Sequence, residues 1–419
     1  MFIPRGSIRH GLMYDLLTNV SIYCKPSLLG KVTNKTREKT SKDINNYFYP
    51  YKSHLLPYAR TSLHALIKSL EIPKGSEVLM TPFNIYPMLN VIESLELKIK
   101  FIDINLYDFG PDYDSLDNHL SRKPAFFLLT YLFGYVPNMK LITEKCEKYN
   151  VKLIEDFSQS IGAKYNKKLL GTFGFASFYS SSLTKYIDGY NGSFLLNKNL
   201  KLDSKIDKYL ISLCEPMPKR QKSIILKTFI WNSALNKIIF NIFTFPILWI
   251  LKLFKKSLLK KIIGANISQK KDTILPKYYF EHISEIQTRT IHKYLKNLPK
   301  LILERKKCFK NFEAAYKEIK ENNKLNLKKR MYKINNYKGN VYWQLVIKVK
   351  DTEIAQDILF SNGIETGITN LPNLSSEFGI DLPNSISLKN NHIFIPLHSY
   401  LNKNHYKKMI LKLIETKQI

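Results

Sequence analysis

The sequence predicts an α/β protein with three parts: a large domain whose mostly parallel central sheet is flanked by helices, a helical insertion, and a smaller C-terminal α/β domain. Three observations predict it. From about residue 60, short apolar runs alternate with stretches of helical spacing; between about 201 and 275 a basic amphipathic pattern replaces that rhythm; from about 300 a second, shorter set of apolar runs and helices follows.

In chain order, Thr61–Leu70 has apolar residues at helical spacing, and Glu77–Thr81 reads as a short strand stopped by Pro82. A helical stretch through Leu89–Ile92 precedes a strand at Ile99–Ile102 and the apolar run Ala125–Leu129. A helix near Lys140–Tyr149 leads into a strand at Val151–Ile154. Short apolar runs separated by helices imply parallel strands buried on both faces. Ligands then collect beyond the strands' carboxyl ends, where Thr81-Pro82, Thr130-Tyr131 and Asp156 fall. Glu281–Lys320 reads as a long helical stretch. After it come the apolar run Trp343–Ile347, a helix near Thr352–Ser361, the turn Asn362-Gly363 and a closing helix from His405. The expected division is an N-terminal arm at 1–50, a large domain at 51–200, the insertion at 201–275, the remainder of the large domain at 276–299, and a small domain at 300–419.

Within the insertion, Lys237–Ile263 carries apolar residues at helical spacing, including Ile238, Ile242, Phe243, Trp249, Ile250, Leu253 and Phe254, with lysines filling the other face. The apolar run is interrupted by Asn241, Pro246 and Lys252 and is short for a membrane span, which needs about 20 apolar residues. Two readings stand. The helices of 222–263 lie in an anionic membrane surface, or they pack on the catalytic body or across a dimer as a lid.

A chain of 419 residues is long enough for two packed units. Its 65 Lys+Arg against 34 Asp+Glu give a formal charge of +31. The excess is mostly lysine and accompanies abundant Asn and Ile, so it reads as compositional bias, and no nucleic-acid partner is expected. Cys24, Cys146, Cys214 and Cys308 lack the paired spacing of a zinc site or disulfide framework, and the N-terminus lacks a secretory pattern. A cytoplasmic location is expected, with peripheral contact at the inner face of the membrane if the first reading of 222–263 holds.

The chemistry concentrates around one lysine. Asp156 ends an apolar run, and 29 residues later Lys185 sits in a Ser/Thr-rich turn. A pyridoxal phosphate enzyme needs this pair: a carboxylate to keep the ring nitrogen protonated and an amine to hold the aldehyde. Taken alone, Asp156 could equally cap the next helix. Ser180 and Thr184 offer hydroxyls to a phosphate, and Gly189 and Gly192 permit a tight turn. Ala59–Ser62, opening a helix, is a second phosphate cradle or an ordinary cap. His64, His398 and the cysteines read as structural.

Together these residues resemble the DegT/DnrJ/StrS family of fold type I pyridoxal phosphate enzymes, best known as nucleotide-sugar aminotransferases. The marks are Arg60–Leu63, Gly75–Val78 leading to Pro82, and Leu132–Gly134 with Met139. The strongest block is Ile154–Asp156, Gln159, Gly162-Ala163, Gly171–Gly174, Ser180 and Thr184-Lys185. Ser284–Gln287, Gly363-Ile364, Thr366-Gly367 and Ile395–His398 follow.

The resemblance implies a seven-stranded sheet, a homodimer, and pyridoxal 5'-phosphate held covalently by Lys185, which also shuttles the proton. Asp156 pairs with the ring nitrogen, Gln159 bonds the phenolic oxygen and Tyr86 stacks on the ring. Thr61 and Ser180 hold the phosphate, assisted by the Arg60 and Thr61 amides. The implied reaction moves an amino group, with glutamate as donor, to a nucleotide-linked keto-sugar in surface polysaccharide, lipopolysaccharide or related amino-sugar synthesis. A dehydratase of the family lacks the lysine, so Lys185 favours aminotransfer over dehydration; a non-catalytic membrane- or partner-binding relative is the other alternative. The chain departs from the family pattern at Phe280 and His282, where many members have Asn-x-Arg, at Thr369, where a histidine is common, and at Ser181–Leu183.

Overall fold

The computed structural model describes residues 2–7, 10–254, 272, 274–322, 335–369 and 371–419. Its strands in chain order are β1 (Lys52–Leu56), β2 (Glu77–Met80), β3 (Lys98–Phe101), β4 (Phe126–Thr130), β5 (Lys152–Asp156), β6 (Lys164–Tyr165), β7 (Lys168–Leu169), β8 (Ala176–Ser180), β9 (Ser193–Asn197), β10 (Leu345–Lys348) and β11 (His392–Ile395). Seven of them form one sheet in the order β1-β9-β8-β5-β4-β2-β3. β3, β2, β4, β5 and β8 run parallel, and β9 is reversed against both β8 and β1. This is the mostly parallel central sheet expected.

β4 shows why the sheet is buried on both faces. All five of its residues are inside. Phe127 and Leu129 enter one core with Leu153, Phe194 and Leu196. Phe126 and Leu128 enter the opposite core with Val78, Ile154 and Phe178. A strand's two-residue period sends alternate side chains to opposite faces, so a continuous apolar run fills both layers.

The helices are α1 (Leu12–Cys24), α2 (Asn34–Tyr47), α3 (Ala59–Ser69), α4 (Tyr86–Ser94), α5 (Leu116–Leu120), α6 (Met139–Lys148), α7 (Leu200–Ile211), α8 (Pro218–Leu235), α9 (Lys237–Phe254), α10 (Glu285–Asn322), α11 (Thr352–Ser361), α12 (Pro383–Asn390) and α13 (Lys403–Glu415). Asn138, Asn199 and Asp351 cap α6, α7 and α11 by accepting backbone N–H bonds, and Asn402 with His405 closes a capping box on α13. The amphipathic helix of the insertion is present as α9, with a π-turn at Phe240–Thr244 that ends two residues before Pro246; the wider turn accommodates the missing proline N–H. The expected continuation through Ile263 lies outside the described residues.

The long helix starts at Glu285, later than expected, because Glu281 and Ser284 are held in extended bridges to Cys214 and Lys31. α10 then runs for 38 residues with Pro299 inside it. Up to Leu298 its side chains pack on the sheet; from Cys308 they join a second core with β10, β11, α11 and α13. The residue-300 boundary therefore falls within one continuous helix.

The loop after β4 docks onto the start of that second unit. Gly134 has φ +84°, and its carbonyl accepts the Val341 and Tyr342 N–H groups at 2.8 and 3.3 Å. A Cβ there would collide with the backbone nitrogens of Trp343 and Tyr342, whereas one at Gly75, φ +79°, would meet nothing within 4 Å. Gly134→Ala is therefore expected to destabilise the protein by about 3 kcal/mol, and Gly75→Ala by about 1 kcal/mol, in urea unfolding.

Candidate functional site

Parallel register brings three strand ends to one edge of the sheet. Thr130 pairs with Asp156, and Asp156 with Phe178, so the carboxyl ends of β4, β5 and β8 lie side by side. A cavity of about 460 Å³ opens there, lined by Thr130, Asp156, Gln159, Ser180, Ser182 and Lys185 on the sheet side. Arg5 to Ser7 of the arm, Trp231 and Leu235 of α8, Arg305 of α10, and Trp343, Gly367 and Phe394 of the second unit complete the wall.

Asp156 is buried, and its Oδ1 accepts both the backbone N–H and the hydroxyl of Ser158. Burial pushes its carboxyl up; the Ser158 bonds and the nearby Lys185 charge oppose the shift. Burial drives the Lys185 amine down to about 8, with Asp156 acting in the other direction. Its Nζ lies 4.1 Å from the centre of the Trp343 ring, and no hydrogen bond ties it among the described residues. Gln159 spends its carbonyl oxygen on the Phe133 N–H at 2.8 Å, so what it offers a ligand is its NH₂. The Ser180 hydroxyl lies 3.2 Å from that of Ser182.

Neighbouring Glu155 explains the glycine-containing block. Its buried carboxylate accepts the N–H groups of Gly171 at 2.7 Å and Phe173 at 2.8 Å, that of Gly174, and the Tyr131 hydroxyl. Gly171–Gly174 is a loop folded around this carboxylate, and it feeds directly into β8.

The Lys185 loop is held from beneath. Thr184 sits at φ +71°, donating its N–H to Asp188 Oδ2 at 3.2 Å and accepting the Trp343 indole N–H at 3.0 Å. His10 bridges the Asp188 carbonyl and Asp15, each at 2.7 Å. Asp15 also accepts from Tyr190 Oη at 2.6 Å and Asn232 Nδ2 at 2.7 Å. Burial alone would lower His10, but Asp188 and Asp15 together raise it. The arm, α1 and the inserted α8 thus converge under the lysine.

Of the residues expected at the site, Asp156, Gln159, Ser180 and Lys185 meet in the cavity, while the side chains of Arg60, Thr61 and Tyr86 do not. Thr61 Oγ1 donates to the Tyr279 carbonyl at 2.7 Å, and the Arg60 guanidinium stacks 4.2 Å from the Tyr58 ring centre and 4.4 Å from that of Tyr279. The cause is the turn Lys277–Phe280, which lies over the start of α3. Tyr86 is the first residue of α4, and its hydroxyl donates to Glu377 at 2.6 Å, away from the cavity; Asn84, Ile85 and Met88 line it instead. At the departing positions, Phe280 and His282 bond through their backbones to Cys214 of their own chain. His64 and His398 bond Tyr209 and the Pro4 carbonyl.

The sequence does not reveal His10, Asp15, Asn232, Arg305 or Trp343 as site residues. Each lies far along the chain from Lys185 in a stretch with no local motif. Arg305 is 7% exposed; its Nη1 donates to the Leu397 carbonyl, and its Nε has no hydrogen-bond partner among the described residues.

Comparison with known proteins gives the following. Residues 58–228 match the profile of the DegT/DnrJ/EryC1/StrS aminotransferase family. A "pleiotropic regulatory protein" of Geobacillus stearothermophilus is 24% identical over 193 residues, covering 43% of this chain and 52% of that protein. The GDP-perosamine synthase of Escherichia coli O157:H7 is also 24% identical over 193 residues, covering 42% and 53%. The aligned part thus spans about half the length of these relatives. The structure of E. coli GDP-4-keto-6-deoxy-D-mannose-3-dehydratase with bound hydrated PLP superposes with a TM-score of 0.70 at 16% identity, covering 99% of both chains, and so shares the fold. The matched stretch, residues 58–228, holds β2 to β9 and the lysine loop, and over it the chain is similar to the DegT/DnrJ/EryC1/StrS aminotransferase family.

Proposed function

We propose that the chain is a pyridoxal phosphate-dependent aminotransferase that moves an amino group, with glutamate as donor, onto a keto carbon of a nucleotide-activated sugar. The observation that carries this reading is Lys185, a half-buried amine with a depressed pKa, lining a cavity that Asp156 also lines. The named activity of the perosamine synthase relative supports the substrate class. We place the enzyme in the cytoplasm as a homodimer, with residues 51–200 and 276–299 holding the cofactor and 300–419 closing the cavity.

The residues present fit the cofactor. When bound, pyridoxal phosphate supplies an aldehyde that condenses with amines and a ring that accepts the electron pair left on the substrate carbon. In this reading Asp156 would hold a proton on the ring nitrogen, the Gln159 NH₂ would donate to the phenolic oxygen, and the Ser180 and Ser182 hydroxyls would serve the phosphate. With its pKa near 8, about a tenth of Lys185 is neutral at pH 7 and competent as nucleophile and proton carrier. Trp343 covers the amine and excludes water. Arg305, which lines the cavity, would supply the cation for the donor's carboxylate.

Purified protein is expected to shift the absorption band of added pyridoxal phosphate, to lose that band on adding glutamate, and to do neither as Lys185→Ala. An unshifted spectrum in the native protein overturns the enzymatic reading.

Labelling by an amine-selective reagent, read by mass spectrometry, is expected to rise at Lys185 with a midpoint near pH 8. Surface lysines label with midpoints near ~10.4. Asp156→Asn removes the charge that raises the amine, so the Lys185 midpoint moves lower still.

His10→Ala leaves two buried carboxylates without their shared partner. It is expected to cost about 3 to 5 kcal/mol in urea unfolding and to weaken pyridoxal phosphate retention, because the Thr184 turn loses its support.

A further inference from the structure

α9 is, among the described residues, the one helix with the length and composition of a membrane span, yet it is docked along the protein by one side only. Three of its 18 residues, Phe240, Phe245 and Leu248, are buried, packing with Phe360 and stacking on Phe2 at 4.1 Å between Phe245 and Phe2 ring centres. On its other side Ile238, Ile242, Phe243, Ile247, Ile250 and Leu253 are each 55–68% exposed. An apolar strip of this size facing water calls for an occupant.

Charge selects among the occupants. Between residues 216 and 271 the chain has twelve lysines and arginines and no aspartate or glutamate. A second copy docked through this same face would set one acid-free basic segment against another, whatever dimer forms elsewhere on the molecule. An anionic bilayer surface answers both features at once: acyl chains take the apolar strip while phosphate headgroups offset the one-signed charge of the segment that carries it. The docked inner side argues against a helix that crosses the bilayer, since a spanning helix cannot keep a flank on Phe360 and Phe2.

We propose that the outer face of α9 seats this protein on an anionic lipid surface as a peripheral contact. The seat is tied to the cavity. The backbone N–H of Phe2 donates to Asn241 of α9 at 2.7 Å, and the same arm supplies Arg5, Gly6 and Ser7 to the cavity wall. α8, which runs directly into α9, supplies Trp231 and Leu235. The cavity is therefore walled by the segments that the lipid surface would steady. The inference does not depend on which reaction the cavity performs.

Flotation of the full chain with vesicles tests it, using phosphatidylglycerol mixed with phosphatidylcholine against phosphatidylcholine alone. Wild-type protein is expected to float with the anionic vesicles, to be released by salt at ~1 M, where screening shortens to about 3 Å, and to stay behind with the neutral ones. Ile242→Asp with Ile250→Asp should lower partitioning at least about tenfold; Ile247→Gln with Leu253→Gln, a milder pair, controls for misfolding, alongside near-ultraviolet circular dichroism. Folded variants that float as well as wild type overturn the proposal. So does wild-type protein that ignores anionic vesicles but loses half its mass in light scattering when the strip is substituted, which would make the face a contact between copies. Cell membranes that retain the protein through alkaline carbonate extraction would equally overturn it in favour of a span.

Discussion

The buried carboxylate of Glu155 accepts four hydrogen bonds, from the Tyr131 hydroxyl and three backbone N–H groups, and the site is organised around it. An ionised group without water is tolerable only when its lone pairs are filled. Here the filling fixes the course of the chain from Gly171 to Gly174 and so the entry into β8. Asp156 is the next residue on β5, and Ser180 ends β8. The placement of both relative to Lys185 follows from a carboxylate that does no chemistry itself.

The lysine loop obeys the same rule in a second layer. Thr184 adopts a left-handed backbone without being glycine, and it stays there because Asp188 and Trp343 take its N–H and carbonyl. Asp188 in turn rests against His10, and His10 against Asp15. Charged groups that would be costly alone are made tolerable by each other, and their mutual satisfaction ties the N-terminal arm and α8 to the reactive amine.

This explains which parts of the site were legible in the sequence. Asp156, Gln159, Ser180 and Lys185 lie within 30 residues of chain, on strand ends and turns whose positions follow from apolar runs and glycines. Tyr86 donates its hydroxyl to Glu377, a partner 291 residues along the chain that periodicity does not reveal. The side chains of Arg60 and Thr61 are engaged by Tyr279 of the turn Lys277–Phe280, more than 200 residues away, a contact that no local pattern reveals. The sheet was legible because both of its faces are buried, which leaves unbroken apolar runs such as Phe126–Leu129. The insertion's basic amphipathic pattern was equally plain, but periodicity records only that a helix has an apolar side. That α9 has a second apolar side, turned away from the body, emerges only when the neighbours are in place.

α10 contributes Ile291, Tyr294, Leu295 and Leu298 to the core under the sheet and Cys308, Phe309, Phe312 and Ile319 to the core of the C-terminal unit. At 38 residues it is a rod of about 57 Å. Neither core can melt without loosening the helix on which the other is packed. Two units joined by a loop would lose their structure in separate stages, each with its own midpoint. Two units threaded on one helix share a single fate: amide protons in both exchange through the same global opening, and damage to the C-terminal unit is felt as loss of the sheet.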